Sequence, residues 1–375
     1  MAALLDTVDP DGLQEFSVVF TDRSLNHMSQ AFREVMTDLS ASLRHVYSAE
    51  GVAIVPGGGT FAMEAVAREF GTGARALILR NGWFSYRWTQ IFEAGGFAAE
   101  THVLSARAEG NSDESPFRPV PIEEVVEAIH KERPDVVFAP HVETSAGIIL
   151  PDDYLKAMAA AAHDVGALMV LDCIASGCIW VDMEDTGVDV LISAPQKGWS
   201  SPPSAGLVML SAAAEARLEQ TSSNSFALNL KTWRAIMAAY EAGGHAYHAT
   251  MPTDALRQFR DAVKETRAYG LDRLKEAQWR LGSEVREMLA AKGLRSVAAE
   301  GFEAPGVVVC YTEDPEVQSG RKFAEEGLQI AAGVPLKCGE TDGFRTFRIG
   351  LFGLDKLYDV KGTVARLKEA VDRVF

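Results

Sequence analysis

The chain has 375 residues, of which 47% are hydrophobic, and a formal net charge of −16 at pH 7. This length predicts a large domain plus a smaller one, and the composition is that of a soluble globular protein. The acidic balance, without any block rich in lysine and arginine, argues against nucleic acid as a partner. No apolar run approaches the roughly 20 residues that span a bilayer, and the start of the chain lacks the basic region of a signal peptide. We therefore expect a cytoplasmic protein with no membrane partner.

The cysteines do not suggest a metal site or a redox pair. They fall mostly within apolar runs and lack the CxxC spacing of zinc ligands; they are Cys173, Cys178, Cys310 and Cys338. We expect reduced thiols and no bound metal.

The first two-thirds of the chain alternate short apolar runs with helical patterns. The strand candidates are VAIV from Val52, ALILR from Ala76, DVVFAPH from Asp135, ALMVLDC from Ala167, VDVLISA from Val188 and GLVMLS from Gly206. Helical spacing separates several of them, as in residues 121–131 and 152–164. Strands that are apolar on both faces and separated by helices indicate a mainly parallel sheet covered on two sides.

The pattern changes after Pro252. One long, charged, amphipathic helical stretch follows, with a break expected at Gly270. Two short strand candidates, GVVVCY and TFRIGL, and a terminal helix from Asp359 complete the chain. We therefore divide the chain into an N-terminal segment, a large α/β domain and a smaller C-terminal α+β domain: residues 1–24, 25–254 and 255–375.

A glycine turn joins the first strand candidate to a helix in the stretch VAIVPGGGTFAMEAVAREF. The glycines at 57–59 let the backbone approach an anion, and Thr60 is expected to open a helix with Phe61, Ala65 and Val66 on its inward face. The free amides at a helix N-terminus favour a phosphate. A plain tight turn explains the same glycines equally well, and the Lys-Ser/Thr of a Walker loop is absent.

Polar or aromatic residues also follow three other strand candidates. Asp172 ends ALMVLDC, and a carboxylate there needs a cationic partner, either a protonated pyridine nitrogen or an ordinary salt bridge or helix cap. Trp83 and Phe84 follow ALILR and would either stack on a flat ring or pack in the core. Thr144 and Ser145 follow DVVFAP as site hydroxyls or as turn residues.

A single lysine, Lys197, lies between two apolar runs in DVLISAPQKGWSSPPSAGLVMLS. Desolvation penalises a charged amine, so this lysine either extends out of a strand end or serves as a neutral nucleophile that forms an imine. Ligands gather at the carboxyl ends of strands in an open α/β sheet. A phosphate cradle, an aromatic plate, Asp172 and Lys197 at one such edge favour the second interpretation, because together they match what pyridoxal phosphate requires.

Seven motifs occur in the order seen in class V aminotransferases, which the chain resembles over roughly residues 25 to 375. They are PGGGTFAMEA, NGWFSYR, HVETSAG, LDCIASG, VDVLISAPQKGWSSPPSAG, HAYHATMP and FRIGLFG. This family consists of fold-type I, pyridoxal phosphate-dependent enzymes and includes the alanine/serine–glyoxylate aminotransferases. The resemblance implies a mainly parallel sheet sandwiched by helices, a smaller C-terminal α+β domain, bound pyridoxal 5′-phosphate and a homodimer with shared active sites.

The resemblance also implies a role for individual residues. Lys197 matches the catalytic Schiff-base lysine, Asp172 the catalytic partner of the pyridinium nitrogen, and Arg348 the arginine that binds the substrate's α-carboxylate. The other matches bind the cofactor: Gly58, Gly59, Thr60 and Gln196 at its phosphate, Phe84 and Ile174 on the faces of its ring, Thr144 near its ring oxygen, and Tyr247 and Thr250 at the phosphate of the neighbouring subunit's cofactor.

The chain departs from the family in two places. The usual N-terminal Gly-Pro-Gly-Pro segment is replaced by EFSVVFTDRSLNHMS, and the Pro-Pro-Gly after the lysine reads Pro202-Pro203-Ser204. The N-terminal segment normally helps to close over the substrate, so this departure concerns the choice of substrate rather than the cofactor.

The expected activity is transfer of an amino group from alanine, serine or aspartate to glyoxylate or pyruvate by a ping-pong mechanism. One alternative is a pyridoxal phosphate-dependent lyase acting on a small amino acid or aminophosphonate. Another is a cysteine desulfurase, for which Cys338 is the nearest candidate sulfur acceptor. An NAD-binding or non-enzymatic α/β domain is the alternative from a different class, and it would leave the lysine, the aspartate and the arginine without a role.

Overall fold

The computed structural model of the chain describes residues 8–9 and 12–375. The helices of its first two-thirds are α1 (Gln30–Tyr47), α2 (Gly59–Phe70), α3 (Tyr86–Gly95), α4 (Ile122–Glu132), α5 (Asp152–Asp164), α6 (Met183–Thr186), α7 (Ala212–Leu218) and α8 (Leu230–Glu241). The strands of this part are β1 (Gly51–Pro56), β2 (Arg75–Arg80), β3 (Glu100–Ser105), β4 (Arg107–Ala108), β5 (Phe117–Arg118), β6 (Val136–Pro140), β7 (Val142–Glu143), β8 (Ile148–Ile149), β9 (Leu168–Asp172), β10 (Val190–Ser193) and β11 (Ala205–Leu210).

Seven of these strands form one sheet in the order β1-β11-β10-β9-β6-β2-β3. Strand β11 is antiparallel to both of its neighbours, and every other adjacent pair is parallel. The carboxyl ends of six strands and the amino end of β11 therefore meet at one edge of the sheet. The mainly parallel α/β fold predicted from the sequence is confirmed.

The helices bury their apolar positions against this sheet. In α5, Pro151 precedes the first turn and Asp152 and Asp153 lie within it, where acidic side chains are stabilised by the helix dipole. Leu155 and Met158, further along the same helix, are completely buried in the core of the sheet. In the part of the chain that the structure describes, no helix combines the length and the hydrophobicity of a membrane span.

The C-terminal part contains α9 (Thr253–Tyr269), α10 (Leu271–Ala291), β12 (Val307–Tyr311), α11 (Pro315–Gln318), α12 (Arg321–Glu325), β13 (Ala331–Ala332), β14 (Thr346–Gly350), α13 (Leu354–Leu357) and α14 (Val360–Val374). Strands β12, β14 and β13 form a small antiparallel sheet. The predicted helix break is at Gly270, whose φ is 109°.

The two helices of the long helical stretch pack in different hydrophobic cores. Leu256 and Phe259 of α9 pack in the core of the large sheet, whereas Leu274 and Leu281 of α10 pack in a second core with β12 and β14. The division of the chain at residues 254 and 255 stays a prediction.

Candidate active site

Lys197 is half-buried at the edge where the strand ends meet, in the connection from β10 to β11. Burial lowers the pKa of its amine, the guanidiniums of Arg348 and Arg87 act in the same direction, and Asp172 acts in the opposite one. The ring centroid of Phe352 lies 5.4 Å from the amine nitrogen. A lysine in this environment favours the neutral, nucleophilic form that imine chemistry needs.

Asp172 is the last residue of β9 and is buried at the same edge. Its Oδ1 accepts a hydrogen bond of 2.9 Å from the backbone N–H of Ile174, and burial raises the pKa of the carboxyl to about 6. Among the described residues, no cation bonds directly to this carboxylate. A protonated ring nitrogen would supply the missing partner, so the environment of Asp172 fits pyridoxal phosphate.

The glycine turn after β1 forms a cradle of backbone amides. Gly58 is the N-cap of α2 without a side-chain cap, and the N–H groups of residues 58–60 have no partner among the described residues. A Cβ on Gly59 would lie 2.4 Å from Cδ1 of Ile174, so only glycine allows the cradle to lie against that side chain. Free amides at a helix N-terminus bind phosphate, and this turn also fits the cofactor.

The start of α2 corrects one expectation. The helix begins at Gly59 rather than Thr60, and Phe61, expected on the inward face, is 51% exposed. Ala62 is buried instead, because it precedes the buried Ala65 and Val66 by three and four residues, the spacing that places side chains on one helix face.

Arg348 extends from β14 towards the aromatic plate. Its neighbours Phe347 and Ile349 are buried, as the expected alternation along a strand requires. The guanidinium carbon lies 5.5 Å from the ring centroid of Phe84, and Nε donates to the carbonyl of Ala332 at 2.8 Å. Its terminal nitrogens have no partner among the described residues. This fork is therefore open to a carboxylate.

Two further charged residues lie in the site and were missed by the sequence reasoning. Arg87 donates to Oγ1 of Thr60 at 3.0 Å, and its guanidinium carbon lies 4.8 Å from the ring centroid of Phe84. Glu143 is completely buried beneath the Phe84 turn. The one sequence signal for Glu143 was a carboxylate within the HVETSAG segment, beside the hydroxyl residues that we weighed as candidates.

The other predicted site residues differ in how closely they join this cluster. Thr144 is buried beside Glu143, and Gln196 is exposed beside Lys197. The hydroxyl of Tyr247 lies 3.2 Å from Oγ1 of Thr250, and its ring packs on His27. The last two predicted residues thus contact each other and the N-terminal part of the chain rather than the surroundings of the lysine.

Cys338 does not resemble a sulfur acceptor. Its thiol donates to the backbone carbonyls of Arg80 and Leu336, and burial raises the pKa of the thiol. Since the thiolate is the nucleophile, this environment disfavours the desulfurase alternative.

The fold and the strand-edge site together define a pyridoxal phosphate-dependent enzyme. Residues 13–340 match the model of the family described as Aminotransferase class-V, and the chain belongs to this family. It is therefore a pyridoxal phosphate-dependent aminotransferase. Arg348 lies beyond the matched range, so its place in the site comes from the geometry of β14.

Several known proteins are similar to this chain over most of its length. The Alanine–glyoxylate aminotransferase of Felis catus is 27% identical over 365 residues, which cover 93% of this chain and 82% of that protein. The Soluble hydrogenase, small subunit, of Synechococcus sp. is 26% identical over 350 residues, covering 92% and 86%. A solved alanine–glyoxylate aminotransferase from Nostoc sp. has a TM-score of 0.78 at 24% identity, covering 93% of this chain and 88% of that one.

Proposed function

We propose that this enzyme transfers the amino group of alanine, serine or aspartate to glyoxylate or pyruvate by a ping-pong mechanism. The observation that carries the proposal is the open guanidinium fork of Arg348 beside Phe84 and close enough to Lys197 to lower the pKa of its amine. All of these substrates have a carboxylate next to the reacting carbon, which such a fork binds. The alanine–glyoxylate aminotransferase of Felis catus is similar to this chain over most of its length, which supports small substrates.

Bound pyridoxal phosphate supplies the electron sink that allows the Cα–H bond of an amino acid to break. The residues that would hold it surround the strand edge in a consistent arrangement. Asp172 would keep the proton on its ring nitrogen, and Phe84 and Ile174 would cover the two faces of the ring. Its phosphate would lie at the cradle of residues 58–60, with Gln196 nearby, and Thr144 would lie near its ring oxygen.

Lys197 and Arg348 would carry the reaction itself. Arg348 would fix the substrate carboxylate, which orients the Cα–H bond towards the amine of Lys197. Because burial lowers the pKa of its amine, Lys197 can accept that proton as a general base. It would then return the proton, as a general acid, to a carbon of the cofactor. One arginine serves donor and acceptor in turn, so the first product must leave before the second substrate binds.

We also infer a cytoplasmic homodimer in which Tyr247 and Thr250 reach the phosphate of the neighbouring subunit's cofactor. Tyr247 is 52% exposed, and its contacts in its own chain lie away from the lysine, as a residue serving the partner would require. The four cysteines are free, which supports a reducing compartment.

Separate half-reactions test the proposal. The purified enzyme is mixed with alanine, serine or aspartate without an acceptor, and the change in its visible absorption is followed. We expect one stoichiometric conversion with the true donor and full reversal on adding glyoxylate or pyruvate. Multiple turnovers without an acceptor, with release of ammonia, would indicate a lyase instead. Lys197→Ala is the matched control and should show no conversion.

A further inference from the structure

The carboxylate of Glu143 collects hydrogen bonds from two loops of the site. It accepts from the backbone N–H groups of Phe84 at 3.2 Å, Ser85 at 2.9 Å and Ser145 at 3.1 Å. The hydroxyls of Ser85 and Ser145 each donate to it at 2.7 Å. Phe84 and Ser85 follow β2, whereas Glu143 and Ser145 follow β6, so this one carboxylate ties two strand ends together.

The same two hydroxyls extend the network to the rest of the turn. Oγ of Ser85 accepts from the N–H groups of Asn81 and Gly82, and Oγ of Ser145 accepts from the N–H of Trp83. A Cβ on Gly82 would lie 2.1 Å from Oγ of Ser145, so the turn packs directly on the network. Every backbone N–H from residue 81 to residue 85 is thus held by Glu143, directly or through one hydroxyl.

Glu143 is completely buried, yet it has no cationic partner in the described part of the chain. None of the described basic residues forms a salt bridge with it, and a buried carboxylate without such a partner is costly unless it accepts several hydrogen bonds. This carboxylate lies within electrostatic range of four titratable groups of the site: Lys197, Asp172, Arg348 and Cys338.

We propose that Glu143 is a positioning residue, whose carboxylate fixes the turn that carries Phe84 against the loop that carries Thr144 and adds a negative charge near Lys197. This role rests on the proposed placement of the cofactor ring between Phe84 and Ile174. It differs from a purely structural role, because a brace that mattered only for folding would not influence the bound cofactor.

The test compares three variants of the holoenzyme. Glu143→Gln removes the charge. It also replaces one carboxylate oxygen by an NH2 group, which cannot accept the hydrogen bonds that Phe84, Ser85 and Ser145 donate. The double variant Ser85→Ala, Ser145→Ala keeps the carboxylate, removes the two hydroxyl hydrogen bonds to it and leaves the N–H groups of residues 81–83 without their hydroxyl acceptors. Glu69→Gln is the matched control: Glu69 is also buried and accepts from Thr221 and Lys231, but it lies in the last turn of α2, away from the cradle.

Three properties are measured: the dissociation constant of pyridoxal phosphate, the visible circular dichroism of the bound cofactor, and the pH midpoint of its visible absorption. For Glu143→Gln we expect a dissociation constant about tenfold higher. Its midpoint should move to lower pH by about one unit, since a nearby negative charge favours the protonated form. The double serine variant should lose circular dichroism with its midpoint unchanged. Glu69→Gln should lower the melting temperature alone.

An unchanged dissociation constant, circular dichroism and midpoint in Glu143→Gln would overturn the proposal, whatever its melting temperature. The same holds if Glu69→Gln produces equal spectral changes. If Glu143→Gln does not fold, the double serine variant decides alone: normal circular dichroism would refute the positioning role. If the variants show these effects but the wild-type enzyme fails to transaminate the small amino acids, the proposed substrates are refuted and Glu143 keeps its role.

Discussion

The Phe84 turn and the loop of residues 242–252 were both assigned to the cofactor by resemblance, yet the chain supports them very differently. In the turn, every backbone N–H from residue 81 to residue 85 bonds either to the buried carboxylate of Glu143 or to a hydroxyl that donates to it. In the loop, Tyr247 is half-exposed and its ring lies 5.4 Å from that of His27, in the segment that departs from the family. The turn is thus held by contacts within its own chain, whereas the hydroxyls of Tyr247 and Thr250 are proposed to act on a neighbouring subunit.

The surroundings of the two regions differ in the same way. Near the loop and along the N-terminal segment, large apolar side chains remain in contact with solvent: Leu13 is 97% exposed, Phe16 88% and Phe226 78%. Clusters of exposed apolar side chains mark interaction surfaces in soluble proteins. We infer that the strand edge is built by the chain itself, whereas the loop obtains its environment from a second subunit.

The largest expected effect concerns the strand edge that carries Lys197. Lys197→Ala should reduce turnover by about 1,000-fold or more, because the general base and acid of the reaction is lost. Peptide mapping after borohydride reduction should find the pyridoxyl adduct of the wild type on Lys197. An adduct on a different lysine would show that the strand edge is not the reactive centre.

Removing the arginine that binds the substrate carboxylate should give the next largest effect. Arg348→Ala should lower kcat/KM by roughly 100-fold for every amino-acid donor, since two charge-assisted hydrogen bonds are lost. The visible absorption of the resting enzyme should stay the same, because the arginine does not hold the cofactor. Arg348→Lys is the matched control, because lysine keeps the positive charge but lacks the forked guanidinium group. Unaltered donor affinity in the alanine variant would place the carboxylate elsewhere.

Asp172 should make the cofactor-free protein less stable as the pH rises. Its pKa of about 6 in the folded protein exceeds the value near 3.9 of an unfolded chain, so the folded state binds the proton more tightly. Compared with Asp172→Asn, the free energy of unfolding of the cofactor-free wild type should fall by up to about 3 kcal/mol between about pH 4 and pH 6.

Urea denaturation at a series of pH values measures this difference. Bound pyridoxal phosphate should abolish it, since a protonated ring nitrogen stabilises the ionised carboxylate. A difference that is independent of pH in the cofactor-free proteins would contradict the assignment of Asp172.

The smallest expected effect concerns the loop of residues 242–252. Tyr247→Phe combined with Thr250→Ala should weaken pyridoxal phosphate binding by about tenfold, as the loss of hydrogen bonds to a charged group requires. Mixing this variant with Lys197→Ala should restore one good site per mixed dimer if the hydroxyls act across the interface. Activity that stays at the level of the separate variants, or a fully active monomer by light scattering, would count against the shared site.

The sequence predicted those parts of the molecule whose structure is determined by residues close together in the chain. The buried strands of the sheet appear as continuous apolar runs, and Lys197 and Asp172 stand out as polar groups within them. Strand β3 was missed, because it lies at the edge of the sheet with half-exposed side chains and shows no such run. The inward face of α2 was misjudged at Phe61, since a shift of one residue moves a side chain by about 100° around a helix.

The role of Glu143 could not be predicted for a different reason. Three of its five hydrogen-bond donors come from the Phe84 turn, which is close in space but distant in sequence, and no local pattern records that pairing. The resemblance to the family supplied Tyr247 and Thr250, and the function proposed for them requires a partner subunit that one sequence does not describe.

The pairing of β1 with β11 has a consequence for the order of events during synthesis of the chain. The cradle follows β1 near the start of the large domain, but β1 is held at the edge of the sheet by β11, which comes near the end of that domain. A pairing of such long range forms late, because a large loop must close first. Most of the large domain therefore has to be synthesised before β1 gains its only partner strand among the described residues, and until then β1 has an unpaired edge that is prone to aggregation.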